Sequence, residues 1–329
     1  MSEEMNVVEL SQRIISGDRV ALAKAITLVE STKDDHIELG SHLVTACLPH
    51  AIESRRIGIT GVPGVGKSTF IDAFGSALTD KGHKVAVLAV DPTSDITHGS
   101  ILGDKTRMEK LASDPNAFVR PTPAGGALGG VARKTRESIA LCEAAGYDII
   151  LIETVGVGQS ETSVHSMVDM FILLVLATAG DELQGIKRGI MEKADLVVIN
   201  KNDGENATYT NLAKATYHQA LHMFPVKNSA WTVPVVACSS ISGSGINEVE
   251  KSTNSFFTQI HTSGYLTKHR AEQNGYWLKQ ALTEELLHRF YTDTNTTAKL
   301  KEIELEVKKG NENPFNAARK LLKGWGYKS

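Results

Sequence analysis

Gly61-Val62-Pro63-Gly64-Val65-Gly66-Lys67-Ser68-Thr69 decides how the rest of the chain is read. It matches G-x-x-x-x-G-K-[ST], follows a short β-branched run at 57–60, and leads into apolar residues at helical spacing, Phe70, Ile71, Phe74 and Leu78. A strand, a glycine-rich turn and a helix, in that order, are the setting in which this motif closes around phosphates. The glycines let backbone N–H groups turn inward, and the helix N-terminus adds positive potential. All nine residues are therefore expected to line a phosphate site, Lys67 reaching the β- and γ-phosphates and the Ser68 hydroxyl ligating Mg²⁺. The competing reading is an ordinary strand-to-helix turn with an incidental Lys-Ser pair, and the flanking pattern weighs against it.

Outward from this loop, continuous apolar runs at 57–60, 85–90, 149–152, 171–176, 196–199 and 233–237 alternate with helical stretches. Such runs mark strands covered on both faces, which predicts a doubly wound α/β domain with a mostly parallel sheet over residues 56–262. Residues 1–55 carry apolar positions at helical spacing (Val8, Leu10, Ile14, Ile15, Val20, Leu22, Ala25, Ile26, Val29) and read as a helical lead-in. Helical spacing returns after 262, in Trp277, Leu278, Ala281, Leu282, Leu286 and Leu287, so 263–329 is expected to be a helical extension.

Asn200-Lys201-Asn202-Asp203 stands at the end of the fifth of these runs, where α/β ligand sites lie. A carboxylate at Asp203 accepts from both N1–H and the 2-amino group of guanine, whereas adenine would leave it unsatisfied, so GTP and GDP are the expected ligands. Ser239 and Ser240, beyond the last run, are expected to add backbone contacts to the base. Glu153-Thr154-Val155-Gly156 takes the place of a D-x-x-G: Glu153 to hold Mg²⁺ or its water, Gly156 to approach the γ-phosphate. Asp91 and Asp104 are further Mg²⁺ candidates, although a solvated acid at a helix start is a serious alternative for Asp104. Val157 stands where a small GTPase carries its water-orienting Gln, so slow intrinsic turnover is expected, with Gln159 the local substitute. Lys187 and Arg188 are candidates for neutralising developing charge. His218 and His222 share metal-ligand spacing, but Gln219 replaces a general base and exposed helical histidines are the simpler reading. Met167, Met170 and Phe171 are expected in the core.

With 35 basic and 38 acidic residues the net charge is −3, so neither nucleic acid nor an anionic membrane is an expected partner. Cys47, Cys142 and Cys238 lie far apart without CxxC spacing, which suggests free thiols. The longest apolar run, 170–177, is far short of the ~18–20 residues needed to span a bilayer, and the acidic start lacks a secretory pattern. A cytoplasmic location is expected.

The chain resembles the MeaB/ArgK-type P-loop GTPases, of the G3E family and SIMIBI class, bacterial relatives of the human methylmalonic aciduria type A protein. The resemblance rests on the phosphate loop, Ala-Val-Asp91-Pro, Gly99-Ser-Ile-Leu-Gly-Asp104-Lys-Thr-Arg107-Met, Leu128-Gly-Gly-Val-Ala, Leu141-Cys-Glu-Ala-Ala-Gly, Glu153-Thr-Val-Gly-Val-Gly-Gln-Ser-Glu161, Gly180-Asp-Glu-Leu-Gln-Gly-Ile-Lys187 and Asn200-Lys-x-Asp203. It implies a GTP-hydrolysing chaperone that docks on an adenosylcobalamin-dependent methylmalonyl-CoA mutase or a related acyl-CoA mutase, gates cofactor loading and protects the enzyme. It also implies a homodimer joined through the C-terminal extension, with switches at 91–104, 153–161 and 178–188. Two departures fall in those switches, Thr97-His98 and Ala177-Thr178-Ala179, where the family carries more Gly and Pro. A P-loop ATPase or kinase linked to lysine, arginine and ornithine transport is the alternative that Asp203 argues against. A metallochaperone GTPase is the other, and it lacks its Cys/His cluster here.

Overall fold

The computed structural model describes residues 7–90, 108–120, 128–154, 160–177, 188–204 and 209–325. Its central layer is a sheet of seven strands: β1 (Arg55–Gly61), β2 (Val85–Val90), β3 (Ala117–Arg120), β4 (Ile149–Thr154), β5 (Met170–Leu176), β6 (Leu196–Asn200) and β7 (Val235–Ala237). Their order is β3-β2-β4-β1-β5-β6-β7, and every pairing is parallel. β2, β4 and β6 are buried along their whole length, which is why these runs are apolar without alternation.

Helices cover both faces. On one, α4 (Lys67–Thr79) and α10 (Ile246–Thr262) bring Phe70, Phe74, Val249, Phe256 and Ile260 into a cluster with Ile57, Ile59, Val87, Leu151, Ile172 and Val198 of the strands. The short α5 (Glu109–Ser113) adds Leu111 beside α4. On the other face, Gly58 lies against Phe171 and against Val164 of α7 (Ser160–His165), so close that a Cβ there would sit 2.8 Å from the Phe171 ring. α6 (Leu128–Ala144) packs on β2 and receives α1 (Val7–Ile15), α2 (Arg19–Glu30) and α3 (Asp34–Cys47). The lead-in buries Leu10, Ile14, Leu22, Ala25, Ile26 and Val29, as its spacing predicts, but Val8 and Val20 are each 59% exposed and stand outside the buried stripe. Met167, Met170 and Phe171 are fully buried, and the three cysteines are free and buried.

The sheet differs from the sequence reading at its edges. β3 was not expected: it is four residues long, sits at one edge, and lies between Pro115 and Pro121, too short to present a run. Glu153 is therefore the penultimate residue of the fourth strand in chain order. β7 begins at Val235 and not at 233, because Pro234 has no N–H to give, although its carbonyl still accepts from Val197 at 3.1 Å.

At the edge where the parallel strands begin, an aspartate precedes each of three strands and takes the backbone N–H of a neighbouring strand or its lead-in. Asp148, before β4, accepts from Lys84 N at 2.7 Å; Asp169, before β5, from Arg56 N at 3.0 Å; Asp195, before β6, from Phe171 N at 2.9 Å. Each carboxylate also holds a basic side chain: His83 at 2.6 Å, Arg270 at 2.7 Å and Lys227 at 2.7 Å. Arg270 lies in the first turns of α11 (Tyr265–Thr292) and grips Asp169 with two nitrogens.

The chain forms two compact units, 1–273 and 274–329. The second holds the rest of α11, α12 (Thr294–Lys308) and α13 (Pro314–Gly324). Asp293 and Asn313 cap α12 and α13 with side-chain oxygens, and Phe290 meets Trp325 edge to face at 5.4 Å. Among the described residues no helix is long and apolar enough to cross a membrane.

Two substitutions test this framework by chemical and thermal denaturation. Asp169→Ala strands a largely buried guanidinium and is expected to cost about 3–5 kcal/mol. Gly245, the residue before α10, has φ +79°, and a Cβ there would come 2.2 Å from the Ala237 carbonyl oxygen. Gly245→Ala should therefore lower stability by about 2–3 kcal/mol and the melting midpoint by roughly 5–10 °C.

Candidate nucleotide site

Because all pairings are parallel, β1, β4, β6 and β7 end on one edge, and the segments that leave β1, β6 and β7 meet there. The loop after β1 turns through Gly64 and Gly66, both with positive φ (+82° and +90°). Pro63, Gly64 and Thr69 are exposed, Val62, Gly66 and Lys67 half-buried, and Val65 buried, so the loop is pinned at Val65 and open at its crest. Lys67 Nζ donates to the Gly61 carbonyl at 2.9 Å, which holds the ammonium across the loop.

Beneath the loop, the Ser68 hydroxyl donates to Glu153 Oε1 at 3.2 Å, and both residues are buried. Thr154 Oγ1 donates to Thr60 Oγ1 at 2.9 Å and ties the ends of β4 and β1 together. Motif spacing did not single out this threonine pair; adjacency of the two strand ends is its only signal.

At the other end of the loop, Asn200 is 1% exposed and connects three segments. Its Nδ2 donates to the Val65 carbonyl at 2.8 Å, while its Oδ1 accepts from Ser240 Oγ at 2.7 Å and from the Cys238 thiol at 3.7 Å. Burial pushes that thiol up to about 12, so it stays protonated as a donor. Gly66 is required here by close approach, since a Cβ would stand 2.9 Å from Asn200 Nδ2. Lys201 adopts φ +58°, rare for a residue with a side chain, and its Nζ donates to the Gly64 carbonyl at 2.8 Å. Ser239, fully buried, donates its hydroxyl to Asp203 Oδ2 and so fixes the carboxylate. Asn202 is held in turn by Thr210 Oγ1 at 2.7 Å. Ser239 and Ser240 thus act on Asp203 and Asn200 through their hydroxyls, a role the sequence reading did not foresee.

Of the residues singled out by sequence, the structure gathers Gly61 to Thr69, Glu153, Asn200, Lys201, Asp203, Ser239 and Ser240 at one edge of the sheet. Asp91, Asp104, Gly156, Gln159 and Lys187 lie outside the described residues, as do both departures except Ala177. His218 and His222 are exposed neighbours with ring centroids 4.6 Å apart, and among the described residues no group of three His, Cys, Asp or Glu is placed to hold a metal.

Residues 22–295 match the family model described as methylmalonyl Co-A mutase-associated GTPase MeaB. The GTPase ArgK of Escherichia coli is 46% identical over 98% of this chain and 97% of its own length. The mitochondrial methylmalonic aciduria type A homolog of mouse is 45% identical over 98% of this chain and 80% of its own. A crystal structure described as an LAO/AO transport system kinase is 39% identical and superposes with a TM-score of 0.76 over 99% of this chain and 100% of that one. A parallel sheet with a phosphate loop after β1, a guanine-type motif after β6 and relatives this similar over their length leave one assignment: the chain is a guanine-nucleotide-binding GTPase of the MeaB family.

Proposed function

We propose that this GTPase is a nucleotide-driven chaperone of an adenosylcobalamin-dependent methylmalonyl-CoA mutase or a related acyl-CoA mutase, gating cofactor loading and protecting the enzyme. The observation that carries the reading is the match of residues 22–295 to a family described by its association with that mutase. The name of the mouse relative is consistent with it.

In this reading the loop 61–69 wraps the phosphates, and Lys67 leaves its carbonyl tether to neutralise charge on the β- and γ-oxygens. Asp203, oriented by Ser239, accepts from guanine, and Asn200 keeps base and phosphate segments in register. Ser68 and Glu153 supply buried oxygen donors of the hard type that Mg²⁺ takes, so these two residues fit the ion and would hold it, with Asp91 and Asp104 as further candidates. When bound there, Mg²⁺ supplies positive charge to the phosphate oxygens. Gly156 approaches the γ-phosphate and Gln159 orients the attacking water, in place of the Gln that Val157 replaces, so turnover is slow without a partner.

The division of labour we propose is a helical segment at 1–55, the GTPase domain at 56–262 and a dimerising extension at 263–329, in the cytoplasm. Leu278, Leu282 and Leu286 follow one another at four-residue spacing along α11 and are 48–72% exposed, which supports a second copy of the chain as the cover. In light scattering, Leu282→Glu should convert a dimer to a monomer; a wild-type monomer overturns the homodimer.

Calorimetric titration with GDP and ADP tests the base site. GDP should bind selectively, and Asp203→Asn should weaken it about 10²-fold and turn preference towards xanthine nucleotides, because the amide N–H would face the guanine 2-amino group, where xanthine offers an acceptor oxygen. Lys67→Ala should lower kcat/KM for GTP by about 10²–10³-fold. The partner is tested by loading the protein with a non-hydrolysable GTP analogue and adding a methylmalonyl-CoA mutase. A nucleotide-dependent complex supports the chaperone, and its absence with intact GTP binding overturns the partner alone.

A further inference from the structure

At the edge opposite the nucleotide site, where β5 and β6 begin, unit 1 contains a cavity of about 440 Å³. It lies roughly 15–20 Å from the phosphate loop, the length of the intervening strands. His165 of α7, Lys193 at the end of α8 (Arg188–Lys193), Lys227, and Tyr265 and His269 of α11 give it polar walls. Val168, Phe171 and Phe256 give it an apolar side.

The buried carboxylates in this cavity are occupied and several donors are not. Both oxygens of Asp169 are taken by Arg270 and Arg56, and those of Asp195 by Lys227 and Phe171 N. Glu192 stands exposed at the rim. By contrast, the Tyr265 hydroxyl and the His165 ring nitrogens have no hydrogen-bond partner among the described residues. Lys193 Nζ meets the neutral Thr162 hydroxyl at 3.0 Å and no carboxylate among those residues. Burial, followed by the charges of Lys193 and Lys227 and then His269, pushes the His165 imidazole down to about 3. It is therefore neutral at pH 7. Two half-buried donors without acceptors, beside an ammonium whose acceptor is a neutral hydroxyl, call for a ligand that brings acceptor oxygens and negative charge. The volume falls in the range of small-molecule sites, and the apolar side calls for more than a bare ion.

We infer that this cavity binds a small organic anion, a carboxylate on an apolar body, with Lys193, Tyr265 and His165 meeting its oxygens and Val168, Phe171 and Phe256 flanking its body. The site uses none of the residues assigned to nucleotide binding, so it stands or falls separately from them.

The test is calorimetric titration of the full chain, loaded with GDP so that the phosphate loop is filled, with benzoate and phenylacetate. Benzyl alcohol serves as the neutral match and inorganic phosphate as the bare anion. At least one carboxylate should bind saturably and about tenfold or more tighter than either control. Lys193→Ala keeps the carbonyl that accepts from Lys227 Nζ, and it should weaken carboxylate binding about tenfold while GTP turnover is unchanged. Tyr265→Phe, which removes one oxygen, should weaken binding severalfold and serves as the second variant should Lys193→Ala not fold. The imidazole resonances of His165 should shift on titration. Absence of saturable binding by both carboxylates, equal binding of benzyl alcohol, tighter binding of phosphate, or unchanged affinity in both variants overturns the proposal.

Discussion

The carboxamide of Asn200 joins the Val65 carbonyl on one side and Ser240 on the other, and the nucleotide site is assembled around that bond pair. Three segments far apart in sequence meet at a residue that is almost fully buried, where an unpaired amide would cost ~1–3 kcal/mol. That cost makes the three move together or not at all. It also dictates local chemistry: Gly66 must lack a side chain because the amide nitrogen would lie against its Cβ, and Lys201 adopts the left-handed conformation while its ammonium reaches the loop crest at Gly64. Backbone strain at Lys201, of order 1–2 kcal/mol, is borne by a position whose neighbours on both sides are fixed by hydrogen bonds.

A parallel sheet has two chemically different edges, and this protein treats them differently. Where β1, β6 and β7 end, the following segments carry the glycines, hydroxyls and backbone groups of the candidate nucleotide site. Where the strands begin, Asp148, Asp169 and Asp195 each take a backbone N–H from an adjacent strand or its lead-in, and His83, Arg270 and Lys227 sit beside the resulting carboxylates. Repetition of one device before β4, β5 and β6 indicates a common requirement, namely acceptors for N–H groups that the pairing of staggered parallel strands leaves over. The cavity beside β5 and β6 borders this arrangement: Asp169 and Asp195 are satisfied by Arg270 and Lys227, while the Lys193 ammonium has only the Thr162 hydroxyl.

The sheet was legible because burial on both faces forces long β-branched runs, and β2, β4, β5 and β6 carried that pattern undiluted. β3 was not legible, since Ala117-Phe118-Val119-Arg120 is an edge strand of four residues that owes its conformation to pairing with β2 rather than to its own pattern. In the site, the phosphate loop and Asn200 to Asp203 were legible because each function sits in contiguous residues with fixed spacing. The hydroxyls of Ser239, Ser240 and Thr210 were harder to read, since a serine or threonine that orients another side chain has no spacing rule to obey. The cavity at the opposite edge was illegible for a stronger reason: its polar groups come from α7, α8, the segment before β7 and α11, and only the fold makes them neighbours.

The C-terminal unit follows a different constraint. Residues 274–325 form helices, two of them capped by Asp293 and Asn313, yet this length of chain is too short to build a large core. Ala317 and Leu321 are buried, whereas Leu278, Leu282, Leu286, Leu287 and Leu322 are 43–72% exposed. An isolated unit of this kind would gain by repacking its helices to hide those leucines. Their exposure at four-residue spacing along α11 is what the proposed homodimer would cover, and a charged residue at Leu282 would oppose that cover without disturbing a buried contact within the unit.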